Sequence, residues 1–345
     1  MAGADVPGDD EIDPLTRLAI KHGTDKWGLH FYTPIYHELF AHLRDKPVRL
    51  LEIGVGGYDY KTVGGASLAM WAEYFPHGRI VGIDTAPKTL SLDPRVSLLV
   101  GSQADPAFLA NLCDQHGPFD IVIDDGSHIP QHVATSFYAL FPRLSEQALY
   151  VIEDVQTAFW PQFGGSILDG GATMKLAQAV LGFLNHAELK VVQPKLQVAP
   201  FAKQIRSLRA FHNIIVVEKG DNNEPSNFAF DLENPHAARA MRIIKQVLAR
   251  SPSPEGFANL IGMLAAGGHD EAESLTDQAL AQWPDHPALL VAAADTAALA
   301  GDTQRALRYM ERLLAIEPDN MRLRQSYEAT KMKSGSGDSK KAVPL

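Results

Sequence analysis

The chain predicts an α/β protein, a Rossmann-like, doubly wound parallel sheet followed by an all-α helical domain. Three observations carry this. Short β-branched runs recur through the first half of the 345 residues, a glycine-rich turn follows the first of them, and two later runs end in acidic pairs. Beyond residue 233 strand signals give way to helical stretches that repeat. Short apolar runs bounded by turns read as buried strands. In open α/β sheets, ligands bind outside the carboxyl ends of such strands.

Residues 48–53 (Val-Arg-Leu-Leu-Glu-Ile) are the first strand, and Gly54-Val-Gly-Gly57 follows directly. Glycine there lets the backbone turn sharply and approach a ligand without a Cβ in the way. Residues 79–83 are a second strand ending in Asp84, 30 positions past Gly54 (84 − 54). Doubly wound nucleotide folds place there the carboxylate that grips ribose hydroxyls. A third strand, 96–100, leads to Gly101-Ser-Gln103-Ala-Asp105 on the expected adenine side. Residues 119–123 lead to Asp124-Asp125-Gly126-Ser127-His128, and residues 148–152 to Glu153-Asp154. Neighbouring strands would aim three or four of these carboxylates and one imidazole into a single crevice. Their mutual repulsion calls for a cation, and oxygen donors suit Mg2+ better than zinc. His128, with a free pKa near neutrality, is the candidate general base. One acid at a strand end often marks only the return of the chain to water. Two acidic pairs with a histidine beyond the first favour a site.

The turn selects the ligand class. A dinucleotide fingerprint runs Gly-x-Gly-x-x-Gly, with a helix N-terminus on the pyrophosphate. Here Glu52 and Asp59 flank the glycines. Carboxylates repel pyrophosphate but suit the sulfonium and amino group of S-adenosylmethionine, so a methyl donor is expected rather than NAD.

These motifs resemble the macrolide-sugar O-methyltransferases of the mycinamicin and tylosin type. The resemblance rests on Leu-Leu-Glu52-Ile-Gly-Val-Gly-Gly57, Gly64-Gly-Ala-Ser67-Leu68 with Met70-Trp71, and Asp124-Asp-Gly-Ser-His128. It rests equally on Glu153-Asp-Val-Gln-Thr157 with Phe159-Trp-Pro161, and on Phe163-Gly-Gly165. Lys21-His-Gly-Thr-Asp-Lys-Trp27 agrees upstream, as do Glu218-Lys-Gly-Asp-Asn222 and Pro225-Ser-Asn227 downstream, so about residues 15–230 are covered. The resemblance implies a class I methyltransferase fold, S-adenosyl-L-methionine and Mg2+ as cofactors, and methylation of a sugar hydroxyl. Carried over by motif, it implies Asp125, Glu153 and Asp154 as metal ligands and His128 as base. Asp84 would hold the ribose, and Glu52, Gly54, Gly56 and Gly57 would line the donor site, with Thr24, Ser67, Gln103 and Asp124 also assigned to it. Asp124 stays open between touching the donor, orienting a ligand and merely ending the strand. Residues 22–26 (His-Gly-Thr-Asp-Lys) read equally as a segment over the donor or as a helix end and a new cap. His132 has no zinc-type companion and reads as a surface or helix-start residue. Phe159 and Trp160 read equally as an acceptor wall or as packing.

After the acidic strands, residues 164–172 are glycine-rich and residues 174–186 read as an amphipathic helix. Residues 190–192 and 205–217 give strand signals. The stretch 164–200 is expected to influence acceptor choice or to pack domains. Further on, residues 299–306 repeat 265–272 at an offset of 34 (299 − 265). The same offset relates Ala272 to Ala306, Leu280 to Leu314 and Pro284 to Pro318. A period of 34 with small residues after the turn and proline closing the second helix is the tetratricopeptide pattern. Residues 240–252 read as a helix capping the array. In the mycinamicin-type enzymes the additional domain precedes the catalytic one, whereas here the repeats follow it.

The expected organisation is therefore a disordered start (1–12), a methyltransferase domain (13–232), helical repeats (233–330) and a disordered tail (331–345). A net charge of −10 argues against nucleic acid, whose phosphates need a basic surface. No apolar run reaches the length needed to span a bilayer, and the acidic N-terminus lacks a signal-peptide pattern. The single cysteine, Cys113, fits a reducing cytoplasm. The expected partners are a sugar-containing acceptor and, through the repeats, another protein or a second copy. The alternatives are a methyltransferase of a non-sugar diol such as a catechol, and a repeat adaptor whose first domain binds ligand without catalysis.

Overall fold

The computed structural model describes residues 12–226 and 231–335. The chain divides into two compact units, one of residues 1–186 with 197–222, the other of residues 187–196 with 223–345. The boundary expected at 232/233 thus lies later than the point at which the chain regroups, after Asn222.

In the first unit, α1 (Pro14–His22) starts at Asp13, whose carboxylate accepts from Thr16 N at 2.9 Å, and stops at Gly23 with φ 70°. After α2 (Thr33–Phe40) come β1 (Arg49–Ile53), α3 (Ala66–Tyr74), β2 (Arg79–Asp84) and β3 (Val96–Val100). Next are α4 (Pro106–His116), capped by Asp105, then β4 (Ile121–Asp124), α5 (Pro130–Leu140) and β5 (Leu149–Ile152). The unit ends with α6 (Gly171–Leu184) and, after α7 (His186–Val192), the hairpin β6 (Ile205–Phe211) and β7 (Ile214–Lys219). All five expected strands before residue 160 are present, and the single run 205–217 is a hairpin that turns at Asn213, φ 62°.

The strand order is β3-β2-β1-β4-β5-β7-β6, with β1 to β5 parallel and β7 antiparallel to both its neighbours. The direction in which successive strands are added to the sheet reverses between β1 and β4, which are parallel and pair Ile53 with Asp124. This is the switch point at which doubly wound sheets bind ligands. Two apolar layers cover the sheet. Leu50, Ile123 and Val151 join Leu15, Tyr36 and Trp71 on one face, while Val122 and Tyr150 join Leu109, Phe137 and Leu176 on the other.

Residues 190–192, expected as strand, belong to α7, which groups with the second unit. A short apolar run fits either period, and Glu188 in the first turn suits the helix dipole.

The second unit is helical from α8 (Pro235–Arg250) through α9 (Pro254–Ala266), α10 (Glu271–Gln282), α11 (Pro287–Leu299), α12 (Thr303–Ile316) and α13 (Met321–Gly335). Ala272 and Ala306, the small residues of the repeat, are both buried. Met241 and Leu248 of α8 share a core with Leu260 and Leu264 of α9. The last helix runs to Gly335, so residues 331–335 are helical where a tail was expected. Residues 1–11 and 336–345 of the expected disordered ends, and Asn227 of the downstream motif, lie outside the described residues. Among the described residues no helix is long and apolar enough to cross a membrane.

Candidate active site at the sheet switch point

Side chains along a strand alternate between its two faces. Glu52 therefore follows Leu50, Glu153 follows Val151, and Asp125 follows Ile123 to the face covered by α1–α3. Asp124 follows Val122 to the opposite face. Neighbours in sequence, Asp124 and Asp125 thus serve different sides of the sheet.

On the first face Lys26 enters from the segment after α1, its side chain 1% exposed. Its Nζ donates to Glu153 Oε1 at 2.6 Å and Asp125 Oδ2 at 2.8 Å, and lies 3.3 Å from Glu52 Oε1. Among the described residues Glu52 Oε1 has no hydrogen-bond donor placed on it, whereas its Oε2 accepts from Ser67 Oγ at 2.9 Å. The Tyr36 hydroxyl donates to Glu153 Oε1, and Tyr32 donates to Asp154 Oδ1 at 2.6 Å. The residue His30 stands 3.6 Å from the same oxygen. Toward solvent, His128 Nε2 lies 3.8 Å from Asp125 Oδ1 and 3.7 Å from Asp154 Oδ2. Asp125, His128 and Asp154 offer ligand atoms that all fall within 4.8 Å of one another. Glu153, expected among the ligands, lies outside this group, its Oε1 taken by Lys26 and Tyr36; His128, expected only as base, lies inside it.

Backbone shape aims these residues. Asp154 and His128 both have positive φ, 50° and 56°. Non-glycine residues adopt that region rarely, Asp and His more readily than most, and here both side chains end within 3.7 Å of each other. Gly54 has φ 96°, and a Cβ there would stand 2.1 Å from the Asp125 carbonyl oxygen. The glycine turn and the acidic loop are thus packed backbone to backbone.

The electrostatics have one dominant sign. Burial pulls the Lys26 ammonium down, but Asp125, Glu153 and Glu52 more than reverse this, and its pKa stands well above the ordinary lysine value. Burial, with Asp125 alongside, pushes the Glu153 carboxyl well up against the bonds from Lys26 and Tyr36. Glu52 is raised by burial too. At Asp154 burial also acts upward, but Tyr32, His128 and His30 together hold it below the usual range. Three carboxylates face one ammonium, and the two buried ones, Glu52 and Glu153, hold their protons more tightly than usual, as a site short of positive charge must. Oxygen donors with surplus negative charge and no thiol fit a hard divalent cation such as Mg2+.

Of the residues assigned to the donor, Gly54, Gly56 and Gly57 shape the turn, and Asp84 sits beside it, accepting from Val55 N at 3.1 Å and Ala86 N at 2.9 Å. Glu52 is fully buried and reaches the turn through Ser67. Asp124, 1% exposed, accepts from Gln103 Nε2 at 2.9 Å, Ser136 Oγ at 2.5 Å and Tyr150 OH at 3.2 Å. Gln103 in turn accepts from Ser127 N at 2.7 Å. Both are buried, and through Ser127 N they tie down the loop that carries His128. Thr24 is buried, its hydroxyl directed to Lys26 N and Asp25. The ring of His132, on α5, meets Ser127 Oγ at 3.0 Å. Phe163 bridges His128 and Trp160, with ring centroids 6.1 and 6.0 Å away. Sequence reasoning missed Tyr32, Tyr36 and His30, and it gave Lys26 no charge partner. The i, i+4 spacing of the two tyrosines on the segment that follows Lys26 was the available signal.

A tetratricopeptide repeat family model matches residues 263–326. The 8-demethyl-8-alpha-L-rhamnosyl tetracenomycin-C 2'-O-methyltransferase of Streptomyces olivaceus is 46% identical over 224 residues, 64% of this chain and 57% of that protein. The mycinamicin VI 2''-O-methyltransferase of Micromonospora griseorubida is 43% identical over 214 residues, 61% of this chain and 53% of that one. The solved MycE methyltransferase of the mycinamycin biosynthetic pathway, in complex with Mg and SAH, matches at 41% identity and a TM-score of 0.59, covering 66% of this chain and 59% of that chain. The chain thus spans somewhat over half the length of the relatives it matches. By sequence and by fold, the chain is similar to macrolide-sugar O-methyltransferases over somewhat more than half of their length, and its C-terminal helices match a tetratricopeptide repeat model.

Proposed function

We propose that the protein is an S-adenosylmethionine- and Mg2+-dependent O-methyltransferase that acts on a sugar hydroxyl of a glycosylated natural product. The observation that carries this is the convergence of Asp125, His128 and Asp154 at the switch point, packed against the Gly54 turn. Tetracenomycin- and mycinamicin-type O-methyltransferases are 46% and 43% identical to this chain over 64% and 61% of its length, which supports the reading.

In this reading Asp125, Glu153 and Asp154 would hold the metal, with Lys26 paired to Glu153 Oε1 and Asp125 Oδ2. Bound there, Mg2+ supplies the positive charge that lowers the pKa of an acceptor hydroxyl and fixes its direction. His128 takes the hydroxyl proton at Nε2 as the oxygen bonds to the methyl carbon and the sulfur–carbon bond breaks. A methyl ether and S-adenosylhomocysteine result. The backbone of Gly54 to Gly57 receives the donor, Asp84 stands at its ribose, and Glu52, Ser67, Gln103, Asp124 and Thr24 hold the turn and loops in position. Phe163 and Trp160 wall the acceptor beside His128, and exposed Tyr58, Tyr60 and Leu168 on neighbouring loops suit an apolar aglycone. The repeats would serve a protein partner or a second copy. A cytoplasmic setting, supplying donor and Mg2+ and keeping Cys113 reduced, completes the proposal.

The test is incubation of the purified protein with S-adenosylmethionine, Mg2+ and a panel of deoxysugar glycosides and catechols, read by mass spectrometry. A methyl added to a glycoside, abolished by EDTA, supports the reading. Methylation of catechols alone would replace the acceptor, and no binding of S-adenosylhomocysteine would remove the donor.

A further inference from the structure

The loop that follows the glycine turn has no apolar anchor. Every residue from 58 to 64 is exposed, with Tyr58, Tyr60 and Val63 at 89%, 71% and 52%. Its backbone is nevertheless tightly curled. Gly56, Gly57 and Tyr58 have φ of 74°, 72° and 46°, the last in a region that tyrosine rarely adopts. Strain of that kind persists only where the surroundings hold it. A Cβ at Gly57 would stand 2.1 Å from Val63 O, so the two ends of the loop touch.

What the curl encloses is one ammonium. Lys88 Nζ donates to Gly56 O at 2.7 Å, Tyr58 O at 2.5 Å and Tyr60 O at 3.2 Å, with Val63 O at 3.4 Å. The shortest of these bonds falls on the strained residue. An ammonium presents three N–H groups around a single point, which suits carbonyls that converge, whereas the planar fork of arginine does not. Lys88 lies on the segment after β2, and that segment meets the turn at two further points. Asp84 accepts from Val55 N at 3.1 Å, and Thr89 N donates to Lys61 O at 2.7 Å.

We propose that Lys88 is a positioning residue for the methyl donor, a tethered cation that closes the 56–63 loop onto the segment carrying Asp84. Gly56, Gly57 and Asp84, all assigned to the donor, then sit on one braced piece of backbone. Lys88 acts on the donor through the loop carbonyls. The inference rests on the donor reading above and deepens it.

Two measurements on the full chain test it for the wild type and Lys88→Ala. One is hydrogen exchange of the 56–65 peptide, read by mass spectrometry, and the other is calorimetric titration of S-adenosylhomocysteine. In Lys88→Ala the amides of Tyr60 and Gly65, which donate to Gly57 O and Val55 O, should exchange about tenfold faster or more. Affinity for S-adenosylhomocysteine should fall by about tenfold or more. Both losses should shrink in ammonium chloride but not in tetramethylammonium chloride at equal ionic strength, because only the first ion offers N–H donors to the carbonyls. Exchange and affinity within twofold of the wild type would overturn the proposal, as would an equal effect of the two salts. A melting point lower by more than about 5 °C, or failure to fold, would make Lys88 a support of the whole sheet and overturn it too. Were the wild type to bind no S-adenosylhomocysteine, the donor reading would fail, while exchange in the two salts would still judge Lys88.

Discussion

A single methyl group at Gly54 should disconnect the donor turn from the acidic loop. The alanine Cβ would lie 2.1 Å from the Asp125 carbonyl oxygen and 2.9 Å from its carbon, far inside contact distance. Those atoms are backbone, held by the bond from Asp125 N to Ile53 O at 3.0 Å, so no rotamer change relieves the clash. A non-glycine residue at φ 96° adds strain of about 1–3 kcal/mol. Overpacking contributes about 1–3 kcal/mol more. The sum, about 2–6 kcal/mol, is a large share of the stability of an ordinary domain, and the sheet can avoid it only by moving the loop that carries Asp125 and His128. Gly54→Ala should therefore fold with reduced stability in urea and lose S-adenosylhomocysteine and Mg2+ affinity together, each by about tenfold or more. Calorimetric titration of both ligands, alongside urea unfolding, measures this. A variant that binds both within twofold of the wild type would refute the claim that turn and loop are packed as one piece.

His128→Ala should lower kcat by about a hundredfold or more while Mg2+ still binds, if the imidazole is base rather than ligand; parallel loss of Mg2+ affinity in calorimetry would make it a ligand. Tyr32→Phe removes the bond to Asp154 and should cost about 1–3 kcal/mol in urea unfolding; an unchanged midpoint would mean Asp154 finds another partner. The pH response has a definite sign. The raised carboxyl of Glu153 contributes stability below the ordinary glutamate range that is lost as pH rises through its folded pKa, and Mg2+ binding favours the ionised form. The melting-point gain from Mg2+ should therefore grow as pH rises above the ordinary carboxylate range, and a gain that shrinks over that interval would contradict the assignment. Asp154, held low, acts oppositely, its contribution vanishing only as pH falls through its folded value. Burial pushes the Cys113 thiol up to about 11, so iodoacetamide at mildly alkaline pH should label it only after unfolding.

The strands and their order of appearance were legible because each is a short β-branched run closed by glycine or acid, and the switch point followed from which runs carry those endings. The 34-residue period was equally plain, since repeats display their spacing directly. The partners of the carboxylates were less accessible. Lys26 lies 99 positions from Asp125 and 127 from Glu153, and no local pattern encodes a contact of that separation. Strand alternation alone could have parted Asp124 from Asp125. The motif alone left Asp124 open, and the turning over of the side chain at each step along a strand is what decides it. Residues 190–192 failed for a different reason: three residues are too few to distinguish a period of two from one of 3.6.

The division of labour between Asp124 and Asp125 makes parity a property of this protein. Inserting or deleting one residue within β4 would exchange the brace and the metal-side carboxylate across the sheet, and no compensating substitution at a single position would restore both. The loops beyond the strands carry no such constraint. Variation in length should therefore accumulate at residues 164–170 and be absent from 121–125. A library built to change the acceptor has the same allowed place in which to grow.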